Sequence, residues 1–163
     1  MAVNLSKLDK YVRQAIETSS ATAKHDTGFR VTDSTTGKRY RYVQFNEATG
    51  VTVTPLWPMG IAIASDDPNI LTADYSASAV MQPCAIGVCT CSTSGEYGWV
   101  EERNPAMPTD CMVSVAATIG EALYWAADGY LTWAKLDSTV DTFPAAIPLE
   151  TNGANASAKI QWV

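Results

Sequence analysis

Apolar and polar residues alternate with a period of two along much of this chain, which is typical of β-strands. The alternation is clear at residues 40–45, 51–54 and 122–133. Within the last of these, Asp128 and Gly129 supply the positive φ angles that a tight hairpin turn requires. Several short segments of this kind between residues 84 and 163 predict a small β-barrel or sandwich in the C-terminal half. The predicted fold class is therefore mainly β.

One segment near the start has helical periodicity instead. Leu5, Leu8, Val12 and Ile16 recur at spacings of three and four residues, which predicts an amphipathic helix over residues 4–17 with one apolar stripe. A helix this short is marginal alone in water, so its stripe must dock on a surface. That surface is either the chain's own β-domain or a neighbouring subunit.

The chain divides by composition into three predicted parts. Residues 1–26 form a helical arm and a linker, because residues 18–26 are small and polar. Residues 27–79 are a β-rich connecting region with additional strands, and residues 80–163 are the barrel-like domain. A chain of 163 residues is long enough to bury a sizeable core without disulfides or metals.

Charge narrows the range of partners. The net charge is −6 and the pI about 4.6, and the one basic cluster, Lys38–Arg41, is too short to bind nucleic acid. Neither nucleic acid nor an anionic membrane is therefore an expected partner. Charged residues make up only 17% of the chain, which suits a surface that lies against other protein subunits.

The first residues lack the apolar run and small-residue cleavage site of a secretion signal. No apolar stretch approaches the ~20 residues that a membrane-spanning helix needs. We therefore expect synthesis in a cytoplasm.

The sequence offers no convincing catalytic constellation. His25 is the single histidine, and it falls in the polar segment predicted to be a linker, where nothing would orient it as a base. Glu101 and Glu102 are consecutive in a predicted strand, so their side chains should point to opposite faces and cannot act as a carboxylate pair. No glycine-rich phosphate loop is present, so neither an enzyme nor a cofactor is predicted.

Four cysteines, Cys84, Cys89, Cys91 and Cys111, lack the paired spacing of a zinc site. In a cytoplasm we expect reduced thiols that pack as small apolar side chains. No metal site is predicted.

Trp57 lies between Pro55 and Pro58, outside the alternating strands, and is the best candidate for an exposed interface anchor. The other tryptophans in alternating strands are more typical of a core. The predicted protein interface thus consists of Leu5, Leu8, Val12, Ile16 and Trp57.

The second half, roughly residues 80–163, resembles the head decoration, or capsid cement, proteins of tailed bacteriophages. The segments that carry the resemblance are Ala85–Val88, Gly95–Val100, Gly120–Leu123, Asp128–Leu131 and Ala146–Glu150. Their order and spacing matter more than any one of them. The chain departs from the family pattern at Pro148, at the insert Thr139–Pro144 and at Cys89–Cys91.

The resemblance implies a virion protein on the capsid exterior that binds the major capsid protein where subunits meet and stabilises the head. It also implies a homo-oligomer, with a trimer as one option. The alternative is a β-rich surface module that recognises glycans or a host cell surface through Trp57 and Tyr97.

Overall fold

The computed structural model describes residues 15–46, 52–64, 67, 71–74, 84–113, 116–125, 131–133 and 144–163. These residues form strands, turns and loops and contain no helix, which confirms the mainly β fold class. Most of the predicted N-terminal helix, including Leu5, Leu8 and Val12, lies outside the described residues and stays a prediction. The last residues of the predicted helix, which the structure does describe, lie in a turn in which the Thr18 amide donates to the Ala15 carbonyl at 3.2 Å.

Within the described residues, eleven strands follow one another along the chain. They are β1 (Arg30–Thr32), β2 (Arg39–Phe45), β3 (Pro58–Ile63), β4 (Leu71–Asp74), β5 (Ala85–Gly87), β6 (Tyr97–Glu102), β7 (Thr109–Val113), β8 (Leu123–Trp125), β9 (Leu131–Trp133), β10 (Ala146–Pro148) and β11 (Ala156–Trp162). Short strands separated by turns are what the alternating pattern predicted.

The first six strands form one sheet in the order β1-β2-β4-β3-β5-β6. An additional antiparallel pairing joins β2 to β6, with Tyr42 opposite Trp99 and Val43 opposite Gly98. This pairing curls the sheet back on itself, so that one face is enclosed and the other faces outward.

The enclosed face of the curled sheet holds its own apolar core. Alternate residues of a strand share a face, and Val43 and Phe45 of β2 meet Val100 of β6 inside the curl. The buried members of this core are Val43, Phe45, Val53, Met59, Ala73, Ala85, Cys89, Cys91 and Val100. The burial of both Cys89 and Cys91 confirms their prediction as small packed side chains.

The outer face of the curled sheet carries a second cluster. Tyr40 and Tyr42 of β2 pack with Trp99 of β6, joined by Val31 and Ile16. Each of these five side chains is at most 4% exposed. The outer face is therefore covered by other parts of the chain.

Part of that cover is the segment predicted to be a linker, residues 18–26. Ser20 and Tyr97 exchange backbone hydrogen bonds of 2.9 and 2.8 Å, and the Lys24 amide donates to the Tyr42 hydroxyl at 3.1 Å. The small polar composition predicted a free tether, whereas these residues attach along β6 and β2. Small side chains suit this position because they let the backbone approach the sheet closely.

The remaining strands close into a barrel in the order β10-β11-β7-β9-β8. This confirms a small barrel in the C-terminal half, and the antiparallel β8–β9 pairing confirms the predicted hairpin strands, although the turn around Asp128 lies outside the described residues. The barrel core contains Ile86, Cys111, Val113, Ala117, Leu123, Ala145, Ala146, Ala158, Ile160 and Trp162.

Strand β5 and the turn before β3 join the curled sheet to the barrel. Ala85 of β5 packs inside the curl, whereas its neighbour Ile86 points the other way into the barrel core. Leu56 accepts from the Met112 amide at 2.9 Å and donates to the Gly87 carbonyl at 2.8 Å. Strands β5 and β6 pair within the first sheet, so the change from the curled sheet to the barrel falls between β6 and β7. The predicted domain boundaries at residues 26 and 79 stay predictions.

Candidate functional site

The predicted interface residues do not come together in the described structure. Ile16 is only 1% exposed and packs in the outer-face cluster of its own chain. For this residue of the apolar stripe, the docking surface is therefore the chain's own β-structure. Trp57 is half-buried, and its carbonyl accepts from the Gly87 amide at 2.9 Å. With Leu5, Leu8 and Val12 outside the described residues, the interface role of this set stays a prediction.

His25 belongs to an aromatic cluster. Its ring stacks on Phe29 at a centroid distance of 4.8 Å and meets Tyr42 and Trp99 edge-on at 5.2 and 5.3 Å. Such contacts hold a ring in place by dispersion and quadrupole interactions. The residue thus has a packing role that its polar sequence neighbours did not indicate.

Tyr97, which the glycan alternative requires, also faces a ring of its own chain. It is half-buried and stacks on Tyr42 with a centroid distance of 6.3 Å and an interplanar angle of 11°. Its hydroxyl accepts a hydrogen bond from the side-chain Nε2 of Gln44 at 3.2 Å. The aromatic face that a sugar would use is therefore partly occupied.

Glu101 and Glu102 take opposite faces of β6, as their adjacency predicted, and each carboxylate is buried in a separate polar network. Glu101 accepts from Lys38 Nζ and from Thr109 Oγ1, both at 2.7 Å. The Thr109 contact ties β6 of the curled sheet to β7 of the barrel. Leaving a buried charge without its partner costs about 3–5 kcal/mol, so removing one partner from either network should destabilise the fold.

On the other face of β6, Glu102 Oε1 accepts from Arg30 Nε at 3.0 Å and also meets Arg41 Nη2. One carboxylate oxygen thus serves two guanidinium groups. The neighbouring Arg103 extends over the ring of Trp162, 5.7 Å from its centroid, which links this face to the barrel core.

The four cysteines are free thiols. Burial raises the pKa of Cys89 to about 11 and that of Cys91 to about 12, and it raises the pKa of Cys111 well above its ordinary value. Burial also raises the pKa of Cys84. Because the thiolate is the reactive form, these positions are poor nucleophiles at neutral pH.

Among the described residues, no group of three or more His, Cys, Asp and Glu side chains is placed to hold a metal ion. The same residues include no helix with the length and apolar character needed to cross a membrane.

Exposed apolar side chains indicate where the molecule can contact another protein. The large ones are Ile63 (64% exposed), Ile119 (60%), Val163 (50%) and Leu149 (42%). Ile119 and Leu149 lie at the same end of the barrel, since the Gly120 amide donates to the Pro148 carbonyl at 3.2 Å. We call these two residues the barrel-end pair.

A tight turn presents Ile119. The Glu121 amide donates to the Thr118 carbonyl at 3.1 Å, and Gly120, at the third position of the turn, has a φ of 82°. An isoleucine at the second position of such a turn projects outward and has no core to enter. The signal was present in the sequence as an apolar residue immediately before a turn glycine.

The fold has a counterpart among solved structures. The N base of the head fiber protein gp8.5 of bacteriophage phi29 matches with a TM-score of 0.58 at 11% sequence identity. The match covers 76% of this chain and 92% of that chain. At this identity the likeness shows a shared fold. No family model and no curated protein sequence matches this chain.

Proposed function

We propose that this chain is a structural protein of a tailed-bacteriophage head, situated on the outer surface of the capsid. The observation that carries the proposal is the fold match, which spans 92% of a head fiber base. It agrees with the independent resemblance of residues 80–163 to head decoration proteins. The match also extends over 76% of this chain.

The proposed partner is the major capsid protein, bound where its subunits meet. A protein that binds only the assembled shell stabilises that shell by mass action, because disassembly must first release the bound copies. Many equivalent sites on a symmetric shell multiply this effect. The role is non-catalytic, and a homo-oligomer would contact several subunits at once.

The described structure suits this role in two ways. The packed cores of the curled sheet and the barrel, with the buried Glu101 and Glu102 networks, hold the described structure together. The barrel-end pair supplies exposed apolar surface for a partner. We do not advance glycan recognition, because Tyr97 is half-buried and stacked on Tyr42.

Sedimentation with phage heads tests the proposal. Heads assembled by the encoding virus from a genome that lacks this gene are mixed with purified protein and pelleted. We expect saturable co-sedimentation with a fixed number of copies per head and better DNA retention on heating. Unrelated phage heads serve as the control. Protein that stays in the supernatant at micromolar concentration would refute the proposal.

The oligomeric state is measured separately by analytical ultracentrifugation of the free protein. A trimer or another closed oligomer supports the homo-oligomer. A monomer that still binds heads would refute that part alone.

A further inference from the structure

At one end of the curled sheet, arginines replace apolar residues on the enclosed face. Phe45 and Val43 of β2 lie in the core, and the alternation continues to Arg41 and Arg39 on the same side. Arg30 of β1 is directly opposite Arg41 in the register. The enclosed face therefore ends in a basic opening.

This opening is a cleft of about 410 Å³, which we call the arginine cleft. Its lining includes four of the chain's five arginines, namely Arg30, Arg39, Arg41 and Arg103. Glu102 is the one acidic residue in the lining within the described part of the chain. In a protein of net charge −6, this concentration of guanidinium groups is a strong departure from the average surface.

The positive charge of the cleft is incompletely neutralised. Glu102 uses a single oxygen for both Arg30 and Arg41. Arg41 Nε is buried and has no hydrogen-bond partner within the described part of the chain. Arg39 is exposed, and no salt bridge joins Arg39 or Arg103 to an acidic side chain among the described residues. A buried donor without a partner is costly, so a bound acceptor would be favourable.

We propose that the arginine cleft binds a short carboxylate-bearing segment of a partner protein, with acidic side chains entering the cleft. Guanidinium groups bind carboxylates through charge-assisted hydrogen bonds, and the Glu102 carboxylate already occupies part of the cleft beside Arg30 and Arg41. The volume is at the small end of the range for ligand sites, which suits a few side chains. This site is independent of the proposed location on a phage head.

The charge of the whole chain argues for a short ligand. A long polyanion such as DNA or RNA would extend beyond the cleft over a chain that carries a net charge of −6, which repels it. An acidic loop places its charge only where the arginines are. Charge complementarity therefore favours a protein segment over nucleic acid.

The test is an NMR titration of isotope-labelled protein at low ionic strength with a capped peptide containing two adjacent glutamates. A peptide with glutamines in their place is the matched ligand. We expect saturable shifts of amides around the cleft, including the Arg103 amide, which donates to the Cys84 carbonyl at 2.8 Å. The glutamine peptide should leave them unchanged.

Two substitutions at exposed positions distinguish binding by the arginine cleft from attraction to positive charges elsewhere on the surface. Arg39→Gln should weaken binding of the glutamate peptide about tenfold, the effect of losing one charge-assisted contact. Lys159→Gln removes the same charge from β11, outside the cleft lining, and should leave binding unchanged. Circular dichroism verifies the fold of both variants, and Arg103→Gln provides a second cleft variant.

Three results would overturn the inference. The first is equal binding of the glutamine peptide, and the second is an equal loss in Arg39→Gln and Lys159→Gln. The third is tighter binding of inorganic phosphate or of a single-stranded oligonucleotide than of the glutamate peptide at the same amides, which would assign the cleft to phosphate groups.

Discussion

Gly98 of β6 has the least space of the glycines whose surroundings are described. A Cβ atom there would lie 2.8 Å from Cε2 of Phe45 and 3.0 Å from the sulfur of Cys89. Phe45 is fully buried in the core of the curled sheet and cannot move aside without disturbing its neighbours. The close approach of β6 to β2 therefore depends on the absence of a side chain at Gly98.

Gly98→Ala should destabilise the protein by about 1–3 kcal/mol, the usual cost of overpacking a core. Gly153→Ala is the matched control, because a Cβ there meets nothing within 4 Å. It should change the free energy of unfolding by less than about 1 kcal/mol. Urea denaturation measures both. Equal stability of the two variants would contradict the packing described at Gly98.

The buried thiols predict a loss of stability at alkaline pH. The folded-state pKa values of Cys89 and Cys91 are raised to about 11 and about 12 from an ordinary value of 9.0. Between these limits the unfolded chain has lost thiol protons that the folded chain retains. The free energy of unfolding should therefore be unaffected by these thiols below about pH 9 and fall as the pH rises through 11.

Denaturation curves under reducing conditions at stepped pH values measure this effect. Burial also raises the pKa of Tyr40 and Tyr42, which adds to the decline. Cys89→Ala should show a shallower slope than the wild type. A stability that does not change up to pH 11 would show that these thiols are not buried.

For some residues the local sequence was enough to predict which face of a strand the side chain occupies, and for others it was not. Strand alternation was enough to predict that Glu101 and Glu102 would point to opposite faces. It was not enough for Arg41, whose half-buried position beside Glu102 follows only from the pairing of β2 with β6, a contact between residues far apart in the sequence.

At the scale of elements, local signals predicted where strands begin and end better than how they pair. The positions of β2 and of the β8 and β9 strands followed from their alternation. The sheet order did not, because β2–β4 and β7–β9 are parallel pairs whose partners no local pattern specifies. The bonding of residues 18–26 along β6 and β2 could not be foreseen, because small polar residues suit both a tether and a strip bonded along a sheet.

The turn at Ile119 exposes an apolar side chain whose contribution to binding can be measured by substitution. If the barrel-end pair contacts the capsid, Ile119→Ser together with Leu149→Ser should weaken head binding. Burial of each such side chain contributes about 1.5–3 kcal/mol, so the double variant should bind at least about tenfold more weakly. Co-sedimentation with heads measures the affinity.

Ile63→Ser is the matched control, because Ile63 is exposed to a similar degree but ends β3 of the curled sheet. It should bind heads as the wild type does. A larger effect of Ile63→Ser than of the barrel-end variant would assign the contact to the curled sheet instead.

At the scale of the whole molecule, the curled sheet and the barrel are joined by Ile86, by the Glu101–Thr109 hydrogen bond and by Leu56. Leu56 has a φ of 75°, a strained conformation for a leucine, while its amide and carbonyl each bond to a different half of the molecule. These links connect the two halves of the molecule, which suits the proposed role on a phage head.

The predicted N-terminal arm is tested by deleting residues 1–14, which leaves Ile16 in its core. If the arm grips a neighbouring subunit, the shortened protein should keep its free energy of unfolding but be released from heads more easily in washing experiments. Unchanged retention would refute the arm. Lost stability would instead place the apolar stripe on the chain's own surface.

Cryo-electron microscopy of virions from the encoding phage tests the central claim most directly. We expect density for the curled sheet and the barrel at symmetry-related positions on the outside of the head, in contact with the major capsid protein. Virions that lack this protein, or that carry it only away from the head, would contradict the account.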